Sequence, residues 1–241
     1  MTARPGDPLA FEGLVDDYDA ARPSYPLSLY DGLGTLGECL ELGAGTGIAS
    51  VQLARRSDRL VVTDLGPRML ARGLAKHGRP GVVCRAEALP FASSAFDSVC
   101  GAQMWHWTSP PAGAQVHRVL RPSGRLLLWW NESDADGVWW WDAQQDRLEA
   151  GNPLYSRGYR EIDYNAQLAG LFTTQEPVLF RWSRTISLEL YARWLRSKSY
   201  VQQLADVSAF VAASIEDLHV AFPDGQVVEP FVTRLWRFQK T

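Results

Sequence analysis

Cysteine is scarce in this chain, and only Cys39, Cys84 and Cys100 occur among its 241 residues. Each lies in an apolar, strand-like run, which is where unreactive thiols are usually buried. An odd number of buried thiols suits a reducing compartment, so we expect a cytoplasmic protein. No cysteine and histidine residues share the spacing of metal ligands, and there is no serine–histidine–aspartate elbow. We therefore expect no metal site and no serine-hydrolase chemistry.

Long apolar runs and basic runs are also absent. Residues 1–8 lack the apolar core of a signal peptide, and no stretch is long enough to span a bilayer. The formal net charge is −3, whereas dedicated nucleic-acid binders are usually basic. We therefore expect neither nucleic acid nor a membrane as a partner. The sequence does not indicate an oligomeric state.

What the chain does contain is an alternation of apolar strands with amphipathic helices. This pattern predicts a parallel sheet covered on both faces, an α/β fold of the doubly wound, Rossmann-like type. Ligands of such sheets bind beyond the carboxyl ends of the strands, so the residues that follow each strand are the candidates for function. The strands are predicted at residues 39–42, 60–63, 82–84, 96–101 and 125–130, and helices at residues 46–56, from Pro67, and at 111–120.

The central motif is Glu41-Leu42-Gly43-Ala44-Gly45-Thr46-Gly47, which joins the first strand to the first helix of this alternation. Glycine lets the backbone turn tightly and approach a ligand without a Cβ atom in the way. The helix that follows offers free N–H groups at its N-terminus. A strand, a glycine loop and a helix in this order are typical of a site for a nucleotide-like cofactor.

The motifs along residues 36–131 resemble those of the class I S-adenosylmethionine-dependent methyltransferases, in particular the small-molecule branch called type 11. The glycine loop matches the family pattern of an acidic residue followed by alternating glycines, and Asp64 ends the second strand. Residues 86–91 (AEALPF) and residues 120–125 (LRPSGR) match the loop after the third strand and the turn before the fifth. Residues 19–26 (DAARPSYP) resemble a segment common in bacterial members.

The resemblance implies one methyltransferase domain over residues 1–241, with a helical cover at 1–35 and a cofactor-binding core at 36–131. Residues 132–230 would form an aromatic-rich helical cap with a further strand, and residues 231–238 the last strand. Ten tryptophans occur in the chain, all at position 105 or later. Aromatic side chains concentrated in this way suit an apolar pocket or lid, although core packing explains several of them equally well.

The resemblance also implies S-adenosyl-L-methionine as cofactor and S-adenosyl-L-homocysteine as product. Gly43 and Gly45 would meet the amino acid end, and Glu41 would favour its ammonium group, directly or through water. Asp64 would accept hydrogen bonds from both ribose hydroxyls, which a carboxylate does readily, and its alternative role is a helix cap. The remaining residues expected at the cofactor flank these positions: Ala44, Gly47, Leu65, Met69, Ala86, Glu87, Gln103, Tyr18 and Arg22.

Two more of these residues, Met69 and Arg22, have an alternative role. Met69 either packs on the adenine or ribose or belongs to the core, and Arg22 either reaches a ligand carboxylate or lies on a surface helix. Arg85 precedes Ala86, where many relatives carry a small or acidic residue. Because arginine has only donors, it cannot accept a hydrogen bond from the adenine amino group. Arg85 therefore either stacks on the adenine or points to solvent.

The acceptor side is expected just beyond the fourth strand, at Gln103-Met104-Trp105-His106-Trp107. The Asn/Asp-Pro-Pro-Tyr/Phe motif of enzymes that methylate amide or base nitrogens is absent there. His106 is the candidate general base, since its unperturbed pKa is near 6.5, and its alternative role is to shape the pocket wall. The residues expected at the substrate are Tyr25, Trp105, Trp107, Trp139 and Tyr200.

We therefore expect a methyltransferase that moves a methyl group to a small organic acceptor by direct displacement. The alternatives are a catalytically silent cofactor-binding protein that acts as a regulator or accessory subunit, and a methyltransferase of RNA or protein. An NAD(P) oxidoreductase would need the spacing G-x-G-x-x-G, whereas this loop reads G-x-G-x-G. Neither the acceptor nor its reacting atom, oxygen, nitrogen or carbon, is predicted by the sequence.

Overall fold

The computed structural model describes residues 9, 13, 15–157 and 163–241, with Asp17 described by its backbone alone. Most of the first fourteen residues of the predicted N-terminal cover lie outside the described residues. The helices are α1 (Val15–Ala21), α2 (Leu27–Gly32), α3 (Ser50–Leu53), α4 (Pro67–His77), α5 (Pro111–Val119), α6 (Trp139–Gly151), α7 (Tyr164–Leu168), α8 (Leu188–Arg196) and α9 (Val207–Ala221). The strands are β1 (Glu38–Leu42), β2 (Arg59–Asp64), β3 (Gly81–Val83), β4 (Phe96–Ala102), β5 (Leu120–Ser133), β6 (Phe172–Thr174), β7 (Val178–Ser187) and β8 (Gln226–Lys240).

Eight strands form one mostly parallel sheet in the order β3-β2-β1-β4-β5-β8-β6, with β7 paired to β8. Strands β1 to β5 pair in parallel, whereas β6 and β8 are antiparallel. The order reverses at β1, whose neighbours are β2 and β4. Ligands of doubly wound sheets bind at such a reversal, beyond the carboxyl ends of the strands. The predicted Rossmann-like α/β fold is confirmed.

Local sequence explains where several elements begin and end. Pro67 occupies the first turn of α4, where its missing N–H costs nothing, and Gly78 ends the helix in the left-handed conformation. Ser187 and Asp206 cap α8 and α9 by accepting hydrogen bonds from the backbone N–H groups of Leu190 and Ala209. These caps satisfy donors that the first turn of a helix leaves open.

The chain divides into two compact units. The sheet unit contains residues Ser24–Glu132, Asp163–Phe180 and Thr233–Thr241. The second unit contains residues Met1–Pro23, Ser133–Ile162 and Arg181–Val232. The core of the sheet unit includes Leu40, Val62 and Trp129, and the core of the second unit is rich in aromatic residues such as Trp140, Tyr191 and Trp194. Each unit therefore buries apolar side chains of its own.

The structure differs from the sequence-based expectation in four elements. The last strand, β8, spans Gln226–Lys240 rather than residues 231–238. Regular α-helix after the glycine loop covers only Ser50–Leu53, because the chain makes turns rather than helix at residues 45–49. Strand β5 begins at Leu120 rather than residue 125, since Leu120 already pairs with Phe96 across an irregularity in the ladder. The three-residue strand β6 was not predicted. No helix in the described ranges is long and apolar enough to cross a membrane.

Candidate functional site

The glycine loop lies at the carboxyl end of β1 and turns back on β2. Gly43 and Gly45 have φ angles of 60° and 54°, which glycine adopts without a steric penalty. A Cβ atom on Gly43 would lie 2.6 Å from Cβ of Met104, so the loop passes directly beneath that side chain. The loop is held to β2 because Ala44 N donates to the carbonyl oxygen of Thr63 over 2.9 Å. These contacts fix the loop at the end of the sheet where a ligand is expected.

Asp64 lies beside this loop, at the end of β2. One carboxylate oxygen, Oδ2, accepts a 2.7 Å hydrogen bond from Gly45 N, and Oδ1 accepts another of 2.7 Å from Gly66 N. Asp64 is not the N-cap of α4, because Gly66 is. The Asp64 side chain thus orders the glycine loop.

Glu41 is a buried carboxylic acid two residues before Gly43. It is 1% exposed, and its Oε2 atom has no hydrogen-bond partner among the described residues. Burial raises the pKa of Glu41 to about 7; Ser50 opposes this shift, and the charge of Asp64 adds to it. A buried carboxylate without a counter-charge is costly, so the site favours a cation.

Two further polar atoms, one in the glycine loop and one just after it, are buried without a partner in the part of the chain that the structure describes. They are the hydroxyl oxygens of Thr46, within the glycine loop, and Ser50, at the start of α3. Although Ser50 lowers the pKa of Glu41, the two side chains do not meet the geometry of a hydrogen bond. Such groups are rare in proteins and are often satisfied by a ligand or an ordered water. The sequence reasoning did not single out Thr46 or Ser50.

Helix α4 packs closely against the same loop. A Cβ atom on Gly73 would lie 2.9 Å from the carbonyl oxygen of Gly45, which leaves no room for a side chain at this position. Met69, one turn earlier on α4, is 5% exposed and lies beside the loop, with its Cε atom 3.5 Å from the Cβ position of Gly45. Met69 is thus buried near the loop, and its expected contact with a cofactor stays a prediction.

The loop after β3 is held at two points by the segment around α5. Glu87 Oε1 accepts hydrogen bonds from the backbone N–H and the hydroxyl of Ser109, at 2.7 and 2.8 Å. Burial raises the pKa of Glu87, but the hydrogen bonds from Ser109, a backbone hydrogen bond of Glu87 itself and the charge of Arg85 together make the net shift downward. Arg118 donates to the carbonyl oxygens of Leu89 and Phe91 over 2.8 and 2.7 Å. The Glu87 side chain therefore anchors the loop, whereas Arg85 is exposed.

Gln103 follows β4 and has a φ angle of 55°, which is uncommon for a residue with a side chain. Its backbone N–H donates to the carbonyl oxygen of Trp129 over 2.9 Å. Its side-chain amide donates to the backbone carbonyl oxygen of Asn131 over 3.2 Å. Asn131 is itself fixed, because its Oδ1 accepts a 2.6 Å hydrogen bond from Thr233. Strained residues that neighbours hold in place often lie at functional sites.

His106 lies in a short 3₁₀ helix, Trp105–Trp107, just beyond β4. Its Nδ1 atom accepts a 3.3 Å hydrogen bond from the indole N–H of Trp130. The imidazole also lies against Trp107, with ring centroids 4.9 Å apart, while Trp105 is 3% exposed. Sequence reasoning found His106 but missed Trp130, which belongs to an apolar run of β5.

Tyr25, expected at the substrate, contacts the core of the sheet unit. Its ring packs edge-on against Trp129 at 5.9 Å and against Tyr30 at 6.5 Å between centroids. The structure therefore gives Tyr25 a packing role, and a contact with substrate stays a prediction.

Four predicted site residues belong to the second unit. Arg22 donates to the carbonyl oxygen of Ser197 over 2.8 Å, and its guanidinium lies 4.5 Å from the ring centroid of Tyr18. Tyr200 is 9% exposed and packs against Tyr155, whereas Trp139 at the start of α6 is 51% exposed. Their roles toward a ligand stay predictions. Over the described ranges, no group of three or more histidine, cysteine or acidic residues could hold a metal ion.

Comparison with known proteins gives a consistent result. A family described as a methyltransferase domain matches residues 40–128. An uncharacterised methyltransferase of Mycobacterium tuberculosis is 32% identical over 198 residues, 80% of this chain and 77% of the relative. An uncharacterised methyltransferase of Schizosaccharomyces pombe is 31% identical over 209 residues, 80% of each chain.

Among solved structures, a type II methyltransferase from Anaeromyxobacter dehalogenans superimposes with a TM-score of 0.69. It is 22% identical, and the match covers 91% of this chain and 97% of the other. A methyltransferase from Bacillus halodurans gives a TM-score of 0.56 at 19% identity, with 89% and 98% covered. At these identities the likeness shows the fold. With the sequence relatives and the glycine loop beside Asp64, it leads to one conclusion: this chain belongs to the class I S-adenosylmethionine-dependent methyltransferases.

Proposed function

We propose that the protein binds S-adenosyl-L-methionine at the glycine loop and transfers its methyl group to a small organic acceptor. The observation that carries the proposal is Glu41, a buried carboxylic acid near the end of β1 whose Oε2 atom is unpartnered among the described residues. An ammonium group bound there would supply the missing hydrogen-bond donor and the missing positive charge. The anionic pyrophosphate of a dinucleotide would instead be repelled.

The residues of the sheet unit fit the rest of such a cofactor. Asp64 lies at the end of β2 beside the glycine loop, and a carboxylate there suits the two hydroxyls of a ribose, which are hydrogen-bond donors. The loop after β3, which Ser109 and Arg118 hold in place, offers backbone N–H groups for an adenine ring. The hydroxyls of Thr46 and Ser50 are further groups that a ligand or its water could satisfy.

When bound, the cofactor supplies a methyl group activated by a neighbouring sulfonium. Glu41, Asp64 and the glycine loop would hold the cofactor so that an acceptor could displace this methyl group directly. The protein's part is mainly to hold the two reactants in line, which can be worth roughly 7–11 kcal/mol, whereas a general base supplies typically about 10²–10⁴-fold. An acceptor that is already anionic would need no base.

The choice of a small acceptor rests on sequence features. The net charge of −3 and the lack of a basic run disfavour RNA, and the motif typical of amide and base methylation is absent after β4. The cytoplasmic location expected from the three cysteines is part of the same proposal. The alternatives are an RNA or protein methyltransferase and a catalytically silent accessory protein. Methyl transfer that requires a partner protein would favour the accessory role.

The test is calorimetric titration with S-adenosyl-L-homocysteine of the wild type and two matched glycine variants. Gly45→Val and Gly34→Val place the same side chain at φ angles of 54° and 67°, and neither Cβ would have a contact below 3.5 Å among the described residues. Backbone strain is thus similar, but only Gly45 belongs to the glycine loop. We expect Gly45→Val to reduce affinity at least about tenfold and Gly34→Val to leave it unchanged. Unchanged affinity in Gly45→Val would remove the cofactor assignment.

A further inference from the structure

The hydrogen bond between Trp130 and His106 has an unusual polarity for a catalytic histidine. The indole N–H can only donate, so Nδ1 of His106 must be the acceptor and must carry no proton. In a neutral imidazole the proton then resides on Nε2. In a serine–histidine–aspartate triad the orienting partner is a carboxylate, which accepts from the histidine and stabilises its cation. Trp130 would do the opposite.

Trp130 is held rigidly enough to impose this choice. It is 3% exposed and stacks on Tyr164, with ring centroids 4.4 Å apart and an angle of 13° between the ring planes. Trp236 packs against the edges of both rings, at 5.1 Å from Trp130 and 5.2 Å from Tyr164. A tryptophan buried in this way cannot turn its N–H toward water, and buried indole N–H groups need an acceptor.

A general base at this position would break that hydrogen bond. Proton uptake at Nδ1 would place an N–H group against the indole N–H, and a base acting through Nε2 would first need its proton moved to Nδ1. Either state leaves a buried donor unsatisfied. We propose that Trp130 is a positioning residue that fixes His106 as a neutral imidazole with its proton on Nε2, so that His106 donates a hydrogen bond in the acceptor site and does not act as a base.

This inference rests on the proposed function, which is what makes the surroundings of His106 an acceptor site. It also limits the chemical class of substrate that the protein can methylate. Without a base from His106, the acceptor atom must be nucleophilic without first losing a proton to this histidine, as a carboxylate, a thiolate or an unprotonated amine is. An oxygen atom of the acceptor is a suitable partner for the Nε2–H group. Unactivated alcohols, which need a base, fall outside this class.

The direct test is the 15N NMR spectrum of the histidine side chains, because protonated and unprotonated ring nitrogens have well-separated chemical shifts. The His106 signals are assigned as those lost in His106→Gln. We expect an unprotonated Nδ1 and a protonated Nε2 in the wild type at neutral pH. In Trp130→Phe, which keeps a ring on Tyr164 but lacks the N–H, the Nδ1-protonated form should gain at least about tenfold in population relative to the wild type.

Trp236→Phe is the matched control, since it alters the same aromatic cluster but leaves the Trp130 indole in place, and we expect no change of tautomer there. A protonated Nδ1 in the wild type would overturn the inference, and so would identical spectra for Trp130→Phe and the wild type. If Trp130→Phe does not fold, the wild-type spectrum alone decides. These measurements need no cofactor or acceptor, so a failure of the proposed function would be seen separately, as absent binding of S-adenosyl-L-homocysteine.

Once an acceptor is found, single-turnover rates give a second test. His106→Gln keeps an N–H donor but has no basic nitrogen, whereas His106→Ala has neither. A hydrogen-bond donor predicts that His106→Gln stays within about tenfold of the wild type and exceeds His106→Ala. Equal losses of more than about tenfold in both variants are the result expected of a general base.

Discussion

Each of the two units buries a glutamic acid, and the two side chains are satisfied differently. Glu229 in the second unit is 3% exposed and pairs with Arg184, whose Nε lies 2.6 Å from its Oε2. Glu41 in the sheet unit is 1% exposed, yet its Oε2 has no partner in the part of the chain that the structure describes. Burial raises the pKa of both, and for Glu229 the charges of Arg184 and Lys198 oppose that shift.

Whether a buried acid has a partner indicates whether its role is structural or functional. A buried acid with its partner in place is a part of the packing, and removing either member leaves an uncompensated charge. A buried acid whose partner is missing lowers the stability of the free protein. A cation that binds to it offsets this free-energy cost. We therefore regard Glu229 as structural and Glu41 as a binding group, and substitutions of the two residues test this contrast.

The largest effect is expected for Glu229→Gln. Arg184 would remain 14% exposed without its charged partner, and breaking such a pair costs about 3 to 5 kcal/mol. The free energy of unfolding should fall by this amount in urea denaturation. Glu132→Gln is the control, because its pair with Arg234 spans 3.3 Å and both side chains are about one-third exposed, so a loss of about 1 kcal/mol or less is expected. Equal losses would remove the distinction between buried and exposed pairs.

The second effect is the pH dependence of the free protein's stability. The folded pKa of Glu41, about 7, exceeds its usual value of 4.5, so the protonated acid favours the folded state. This contribution is fully present below pH 4.5 and is lost as the pH rises through about 7, and the difference is about 3 kcal/mol.

Urea denaturation at both ends of this pH range measures the effect. Glu41→Gln should lack the contribution, and subtracting its pH profile from that of the wild type cancels the effects of other acids. Glu87 differs in sign, because its lowered pKa stabilises the folded protein at neutral pH and this contribution is lost on acidification. If the stability of the wild type and that of Glu41→Gln depend on pH in the same way, the folded protein does not raise the pKa of Glu41.

The third effect is on ligand affinity. Glu41→Gln should weaken the binding of S-adenosyl-L-homocysteine by about 10- to 150-fold, which corresponds to about 1.5–3 kcal/mol for a hydrogen bond to a charged group. Glu38→Gln is the matched control on the same strand, since Glu38 forms an exposed pair with Arg59 at the other end of β1. Calorimetry at a pH above 7 should show the control unchanged. A loss of similar size in both variants would indicate a general effect of charge.

The smallest effect concerns how closely α4 packs against the glycine loop. Gly73→Ala would place a methyl group 2.9 Å from the carbonyl oxygen of Gly45, and overpacking of this kind costs about 1–3 kcal/mol. The better helix propensity of alanine offsets up to about 1 kcal/mol. Gly113→Ala in α5 meets only leucine side-chain atoms, at 3.2 Å or more, so it should be neutral or stabilising. Thermal unfolding of the two variants measures the difference in their stability. A Gly73→Ala variant as stable as the wild type would show that the glycine loop can shift to make room for the methyl group.

Much of the sheet unit could be predicted from the sequence. Strands β1 to β4 lie within one residue of their predicted bounds, because short apolar runs indicate strands from the local sequence alone. The proximity of Asp64 to the glycine loop follows from topology, since both leave the carboxyl ends of adjacent parallel strands. The strand β6 was missed because three residues, Phe172–Thr174, are too few to show a periodic pattern.

What could not be predicted are the contacts between distant residues. Trp130 reaches His106 across 24 residues, and Arg184 reaches Glu229 across 45. Nothing in the local sequence indicates that Trp130 donates to a histidine rather than packing like its neighbour Trp129. The same holds for Glu41: the sequence places an acid before the glycines, but only the structure shows that it is buried and which of its oxygen atoms lacks a partner among the described residues.

The most direct measurement of the role of Glu41 is proton release when S-adenosyl-L-homocysteine binds. Titrations near pH 6 in two buffers with different ionisation enthalpies give the number of protons exchanged. With a pKa of about 7 in the free protein, Glu41 is mostly protonated at that pH and must ionise to pair with the ammonium group. We expect close to one proton released per site in the wild type and none in Glu41→Gln. Binding without proton release in the wild type would contradict the assignment of Glu41 as the group that binds the cofactor's ammonium.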